Sequence, residues 1–207
     1  MNLINLDTWG SYGKAFDESF KAILAGEMIV YPTDTTYRIG GNATDENSVR
    51  RIKITRGDDS ISIVVSDFQM LRKYCRTDNI PFALLQQLFP GPVTGIFNKI
   101  SEISDEIAGE TVEVCIPHHQ FILSLVRKLN FPLASSTANF SGEISPKSVS
   151  EVPPQLAEIV SVVVDGGRCL HAADPTVVDF TRGTPRVVRD GADSERICRT
   201  IDDFYSP

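Results

Sequence analysis

Short apolar runs alternate with helical patterns along the whole chain. Residues 28–31 form a buried apolar run that Pro32 ends, and residues 159–164 form a near-continuous apolar run. The second run predicts a strand covered on both faces. Between such runs, apolar side chains recur at helical spacing, as at Phe16, Phe20, Ile23 and Leu24. This alternation predicts an α/β or α+β layer fold.

The same reasoning places the remaining elements. Helices are predicted to begin at Asp45, Asp67 and Pro81 and to cover residues 119–129. Further strands are predicted at residues 60–65, 95–98, 112–116, 133–135, 176–180 and 186–189. No linker rich in proline, glycine or serine is long enough to divide the chain. We therefore expect one domain over residues 1–207, with a core of about residues 14–192 and a short tail.

Composition narrows the function classes. The chain has 207 residues, of which 42% are hydrophobic and 23% charged, with a formal net charge of −7. These values are typical of a folded soluble protein, and the acidic balance argues against a broad nucleic-acid-binding face. No apolar run approaches the ~20 residues of a membrane span, and the N-terminus lacks signal-peptide features. Four cysteines show no metal-binding spacing, so reduced thiols and a cytoplasmic location are expected.

Two segments rich in hydroxyl groups follow predicted strands. Residues 32–37 read Pro-Thr-Asp-Thr-Thr-Tyr, and residues 134–142 read Ala-Ser-Ser-Thr-Ala-Asn-Phe-Ser-Gly. Such side chains can bind a polar ligand, and they can equally satisfy the backbone of a turn. Both interpretations stay open at this point. Residues 90–94, Pro-Gly-Pro-Val-Thr, predict a rigid turn that enters a strand.

Several familiar motifs are absent from the sequence. It contains no Walker A loop, no GxGxxG and no GxSxG, so it gives no support for the usual phosphate loop, dinucleotide fold or hydrolase elbow. His118 and His119 are adjacent and therefore do not share a helix face. We expect both to be solvated surface residues, and no metal site is predicted.

Seven segments of the chain carry a resemblance when they are taken in order. They are residues 31–37, 89–94, 111–117, 135–142, 164–167, 176–179 and 188–191. A single segment is weak evidence, but together they resemble the YrdC/Sua5 family of threonylcarbamoyl-adenylate synthases. The resemblance runs over about residues 14–192.

The resemblance implies a twisted sheet of parallel and antiparallel strands, flanked by helices around a concave, positively charged nucleotide pocket. It also implies a nucleotidyltransferase that combines L-threonine, bicarbonate and ATP into threonylcarbamoyl-AMP, with Mg²⁺ as companion and pyrophosphate as the second product. The product would enter t6A modification of tRNA, where a separate complex performs the tRNA step. The chain resembles the short, single-domain form, and direct RNA contact is not required.

The resemblance also assigns residues to each substrate. Positions that contact ATP in the family are occupied here by Thr111, Thr137, Asn139, Ser145 and Arg189. Positions that contact threonine are occupied by Thr35, Ser135 and Cys115.

The family's Lys-x-Arg element is altered in this chain. One register places Arg56 at the lysine and Asp58 at the arginine, and the other lets Lys53 and Arg56 stand for the pair. Arg56 and Lys53 are therefore the candidate catalytic residues, and Arg56 is also a candidate ATP ligand. Asp58 and Asp59 bring negative charge to a place expected to hold triphosphate.

The threonine side of the pocket departs further from the family. Cys115 stands where an arginine is expected to clamp the threonine carboxylate, and Val64 stands where a histidine is common. Pro175 replaces a serine, and Arg38 replaces a glycine beside the site. Loss of one charge-assisted hydrogen bond costs about 1.5–3 kcal/mol, or roughly 10- to 150-fold in affinity.

We therefore expect the nucleotide half of the pocket to bind better than the amino-acid half. Three functions are compatible with the sequence: a threonylcarbamoyl-AMP synthase, a degenerate homologue that binds a nucleotide or RNA, and an adenylating enzyme for another carbamoyl acceptor.

Overall fold

Ten strands form one mixed sheet in a computed structural model of the chain, which describes residues 2–57, 61–100, 103, 106–107 and 109–205. The strands are β1 (Leu3–Asn5), β2 (Ile29–Tyr31), β3 (Arg38–Asn42), β4 (Ser62–Val64), β5 (Val93–Asn98), β6 (Thr111–Cys115), β7 (Leu133–Thr137), β8 (Val162–Asp165), β9 (Thr176–Asp179) and β10 (Arg186–Arg189). Their order across the sheet is β1-β8-β2-β3-β7-β4-β6-β5-β9-β10. The predicted fold class, a twisted mixed sheet with flanking helices, is confirmed.

Within the described residues, seven α-helices cover the sheet. They are α1 (Trp9–Leu24), α2 (Glu46–Arg56), α3 (Phe68–Tyr74), α4 (Phe82–Leu88), α5 (Gln120–Leu129), α6 (Pro154–Ile159) and α7 (Ser194–Tyr205), with a 3₁₀ turn at Val149–Glu151. Helix α1 packs on α5 and on β1, while α2 packs on β3 and β7. Their apolar faces join the central strands in one hydrophobic core.

Local signals explain where several helices begin. The carboxylates of Asp45 and Asp67 accept hydrogen bonds from the backbone at Asn47 and Met70, so both predicted N-caps are confirmed. Helix α1 begins earlier than the apolar pattern suggested, because Thr8 forms a reciprocal capping box with Ser11.

Several parts of the chain differ from the sequence-based expectation. Helix α6 and the 3₁₀ turn at Val149–Glu151 were not predicted. Residues 159–161 are not strand, since α6 ends at Ile159 and β8 begins only at Val162. Strands β1 and β3 were not predicted. Nor was α7, which replaces the expected tail; its buried residues, Ile197, Thr200 and Ile201, lie on one helical face.

Strand β3 escaped prediction because its sequence, Arg-Ile-Gly-Gly-Asn, lacks the usual β-formers. The glycines of β3 are required by close packing against the neighbouring elements. A Cβ at Gly40 would lie 2.9 Å from both the Ala134 carbonyl oxygen and Tyr31 Cε1. The strand can therefore sit between β2 and β7 only where a side chain is missing.

Candidate functional site

A row of polar side chains covers one face of the sheet across five neighbouring strands. Residues paired across strands point to the same face. Arg38 pairs with Thr137, Ser62 pairs with both Ser135 and Glu113, and Cys115 pairs with Thr94. The sheet register alone therefore collects these groups from β3, β7, β4, β6 and β5 onto one surface.

A cavity of about 300 Å³ opens over this surface. Its described lining comprises Arg38, Arg56, Ser62, Thr94, Glu113, Ser136, Thr137, Asn139, Gly142, Glu143, Ser145, Asp174, Pro175 and Arg189. Three arginines and three carboxylates are among these residues. The described lining is thus charge-balanced, whereas the resemblance implied a positively charged pocket.

Arg56 reaches this cavity from the C-terminal end of α2. Its Nε donates to Ser136 Oγ at 3.0 Å, and its Nη1 donates to Asn139 Oδ1 at 2.6 Å and to the Asn139 carbonyl oxygen. These contacts hold a 7% exposed guanidinium against the end of β7. Arg56 is therefore a fixed cation, with its position set before any ligand arrives.

A second, smaller cavity of about 10 Å³ adjoins the first. Arg38 and Pro175 line both cavities. The other described residues of the smaller cavity are Thr33, Asp34, Thr35, Gly91, Val93, Cys115 and Pro117. Its volume is that of about one water molecule.

Arg38 lies across the sheet at the junction of the two cavities. Its Nε donates to Ser135 Oγ at 2.7 Å, and its Nη2 donates to Ser62 Oγ at 2.8 Å and to the Ser135 carbonyl oxygen at 3.2 Å. The side chain is 8% exposed. Over the part of the chain that the structure describes, no carboxylate lies within ion-pair distance of it.

Arg38 is held by a buried hydrogen-bond chain through Ser135 to Tyr31. The two hydroxyls are hydrogen-bonded at 2.6 Å, and both side chains are fully buried. Burial raises the pKa of Tyr31 to about 12, against the opposing pull of Arg38 and Ser135. Tyr31 therefore stays protonated and neutral beneath the arginine.

The hydroxyl-rich segment after β2 closes a local turn and also forms part of the wall of the smaller cavity. Thr33 Oγ1 accepts from the backbone N–H groups of Thr35 and Thr36 and donates to the Thr36 carbonyl oxygen, which closes a local turn. Thr35 lies 3.0 Å from Thr33 through their hydroxyl oxygens and also lines the smaller cavity.

Asp34 is a buried carboxylate in this segment. It is 3% exposed and lines the smaller cavity, and its Oδ2 is buried with no hydrogen-bond partner in the described chain. Burial raises the pKa of Asp34 above its ordinary value, although backbone N–H groups and two histidines, His171 and His118, pull it down.

Cys115 occupies the position where the resemblance implied a cationic clamp. Its thiol lies 3.1 Å from Thr94 Oγ1 and donates to Ser62 Oγ at 3.8 Å. Ser62 Oγ also accepts the Nη2 bond of Arg38, so the thiol and the guanidinium meet at one hydroxyl. The cation next to this position thus comes from β3.

The structure brings seven of the predicted site residues to the two cavities. The larger cavity receives Arg56, Thr137, Asn139, Ser145 and Arg189. The smaller cavity receives Thr35 and Cys115. The substrate assigned to each of them stays a prediction.

Three predicted site residues lie away from the described cavity walls. Ser135 is buried under Arg38. Thr111 is exposed at the start of β6, paired with Asn98. Lys53 lies about one turn before Arg56 on α2, and its Nζ is 3.2 Å from a carboxylate oxygen of Glu106.

Some residues of the site were missed or misjudged from the sequence. Asp58 and Asp59 lie outside the described residues. Asp34 could have been found from the sequence, because it is a lone carboxylate among hydroxyl groups directly after a buried strand. It was not among the predicted site residues, yet it lines the smaller cavity. The prediction that both adjacent histidines are solvated is wrong for His119: its Nδ1 is buried without a partner in the described structure, and burial lowers its pKa to about 4. His118 is exposed, as expected.

Comparison with known proteins decides the family. The Sua5/YciO/YrdC family, described under the heading telomere recombination, matches residues 21–191. The chain belongs to the Sua5/YciO/YrdC family. The predicted resemblance is thereby confirmed.

Several relatives within the Sua5/YciO/YrdC family carry a functional name, among them the following two. The threonylcarbamoyl-AMP synthase of Pyrococcus abyssi is 32% identical over 82% of this chain and 52% of that protein, so this chain spans about half of its length. A putative threonylcarbamoyl-AMP synthase of Methanocaldococcus jannaschii is 31% identical over 83% of each chain.

Solved structures of family members share the fold. The P. abyssi Sua5 structure in complex with L-threonine gives a TM-score of 0.85 at 29% identity, covering 95% of this chain and 61% of that chain. The Escherichia coli YciO structure gives a TM-score of 0.83 at 26% identity, and the match covers 95% of this chain and 98% of the YciO chain. Enzymes named as threonylcarbamoyl-AMP synthases and YciO, which has no assigned activity in its name, are thus both similar to this chain.

Proposed function

We propose that this protein forms threonylcarbamoyl-AMP from L-threonine, bicarbonate and ATP. The observation that carries the proposal is the adjacency of two cavities on one polar sheet face. One has the size and donor set for a nucleotide, and the other holds buried opposite charges beside a threonine hydroxyl. Relatives that cover most of this chain bear the corresponding enzyme name.

The larger cavity fits a nucleoside triphosphate. Its volume of about 300 Å³ lies at the lower end of the range for ligand pockets. Arg56 and Arg189 supply cations for phosphate oxygens, and Ser136 and Thr137 supply hydroxyl groups. Both arginines are tied to the protein by hydrogen bonds, Arg189 through the Pro175 carbonyl oxygen at 3.2 Å.

Mg²⁺ would arrive with ATP. Among the described residues, no cluster of three or more histidine, cysteine, aspartate or glutamate side chains is placed to hold a metal ion. The cavity wall nevertheless offers the carboxylates of Glu113, Glu143 and Asp174, and Mg²⁺ prefers oxygen ligands shared between protein and phosphate. The residues present therefore fit MgATP as the substrate.

The proposed reaction needs positioning more than covalent help from the protein. The threonine amine condenses with bicarbonate to a carbamate, with release of water. A carbamate oxygen then bonds to the α-phosphorus of ATP, and the bond to the β-phosphate oxygen breaks to release pyrophosphate. Arg56 and Arg189 would stabilise the charge that develops on the phosphates.

The test is pyrophosphate release by the purified protein with ATP, Mg²⁺, labelled bicarbonate and L-threonine. We expect release that needs threonine, together with labelled carbon in an adenylated product. Pyrophosphate release with another amine but not with threonine would show that this amine, and not threonine, is the carbamoyl acceptor. ATP binding without turnover on any amine would overturn the proposal.

The wider role follows from the product. Threonylcarbamoyl-AMP is the activated group used for t6A in tRNA, and we propose this pathway for the protein, with the transfer to tRNA performed elsewhere. No described helix has both the length and the apolar character needed to cross a membrane.

A further inference from the structure

Two buried, oppositely charged side chains border the smaller cavity. Asp34 is 3% exposed and Arg38 is 8% exposed. They do not form an ion pair with each other. Each therefore borders the same small space without the other as counter-ion.

Neither charge is fully satisfied by the protein. The Oδ2 atom of Asp34 has no hydrogen-bond partner in the described structure. Arg38 donates through Nε and Nη2 to oxygen atoms of Ser135 and Ser62, all of them neutral. A buried charge is costly unless it is paired, so this arrangement is that of a site whose counter-charges come from a ligand.

The ligand must carry both charges. It needs a cation for Asp34 and an anion for Arg38, a short distance apart, and it must be small at the Asp34 end because that cavity has only about 10 Å³. An α-amino acid meets all three conditions, with its ammonium group in the smaller cavity and its carboxylate at the junction. Beyond the junction, the larger cavity leaves room for the rest of the molecule and for ATP.

We propose that Asp34 and Arg38 bind the ammonium and the carboxylate of the amino-acid substrate, which makes Arg38 the residue that selects a free α-carboxylate. The proposal rests on the proposed function, because that function supplies the amino acid. It assigns carboxylate recognition to β3, while Ser135 and Tyr31 act as positioning residues that hold the guanidinium.

The experiment measures L-threonine and L-threonine amide binding by calorimetry without ATP. Loss of a hydrogen bond to a charged group costs about 10- to 150-fold in affinity. We expect wild type to prefer threonine over the amide by at least about 10-fold. In Arg38→Gln this preference should fall to within about 3-fold, through weaker threonine binding. Asp34→Asn should weaken both ligands, since both carry the ammonium group.

Arg189→Gln is the matched control because Arg189 lines only the larger cavity. It should weaken ATP binding and leave the preference for threonine over the amide intact. Arg38 also lines the larger cavity, so Arg38→Gln should lose some affinity for ATP, but less than it loses for threonine. Its remaining ATP binding also shows that the variant is folded.

The outcomes separate this inference from the proposed function. If threonine binding depends on Arg38 and Asp34 but no pyrophosphate is released, the charge assignment stands and the synthase proposal fails. If wild type turns over threonine and Arg38→Gln keeps the full preference for the carboxylate, the inference is wrong. A larger loss of ATP affinity than of threonine affinity in Arg38→Gln, or a wild type that binds no α-amino acid, also overturns it.

Discussion

Removal of the Ser135 hydroxyl should destabilise the protein and loosen Arg38 together. In Ser135→Ala, Arg38 Nε loses its partner at 2.7 Å and the Tyr31 hydroxyl loses its partner at 2.6 Å, and both groups stay buried. A hydrogen bond to a charged group contributes about 1.5–3 kcal/mol and a neutral one about 1 kcal/mol. We therefore expect the free energy of unfolding to fall by about 3 kcal/mol.

The assay is equilibrium unfolding in urea, supported by thermal melting. For a chain of this size, a loss of about 3 kcal/mol corresponds to a melting temperature lower by about 6–12 °C. Ser161→Ala is the control, because Ser161 is exposed. Its effect should stay within about 0.5 kcal/mol.

A double-mutant cycle with Arg38→Met isolates the contact between the two side chains. Without the guanidinium, Ser135→Ala should cost less by about 1.5–3 kcal/mol, which is the coupling energy of the charged hydrogen bond. Additivity within about 0.5 kcal/mol would show that Ser135 does not hold Arg38. A loss below about 1 kcal/mol in Ser135→Ala itself would refute the role of its hydroxyl in the buried network.

Three further predictions test the site and the core. Because burial raises the pKa of Asp34, its carboxyl becomes neutral at a higher pH than an exposed aspartate, so calorimetry should show threonine affinity falling as pH drops through that pKa, with a flat profile in Asp34→Asn. Arg56→Gln should weaken ATP binding by about 10-fold or more and Lys53→Gln by less, because only Arg56 lines the described cavity; an equal or reversed effect would favour the register that gives Lys53 a direct role. Burial raises the pKa of Cys75 to about 12, so a thiol reagent at pH 8 should modify the half-buried Cys198 well before Cys75, and equal rates would contradict the burial of Cys75.

The sequence predicted those parts of the fold whose cause is local. Asp45 and Asp67 cap their helices through side-chain contacts within three residues, so the residue type is enough to locate them. Strand β3 depends instead on distant packing, since Gly40 is required by Tyr31 and Ala134 on neighbouring strands. Such a requirement leaves no pattern in the segment itself.

The candidate site shows the same division. Hydroxyl-rich segments at residues 32–37 and 134–142 could be recognised one by one, and both contribute residues to the cavities. Arg38 was noticed as a departure, but its place at the junction follows from the pairing of β3 with β7 and of β7 with β4. That pairing joins residues far apart in the chain and has no local signature.

The crosswise position of Arg38 ties ligand recognition to the integrity of strand pairing. Its guanidinium contacts Ser135 on β7 and Ser62 on β4, so it bridges two strands beyond its own. A slip of one residue in either pairing turns every side chain of that strand to the opposite face. A misregistered yet compact chain would keep its helices and much of its apolar burial while losing the amino acid. Retention of substrate affinity would thus report correct assembly of the sheet more sensitively than compactness or helical content does.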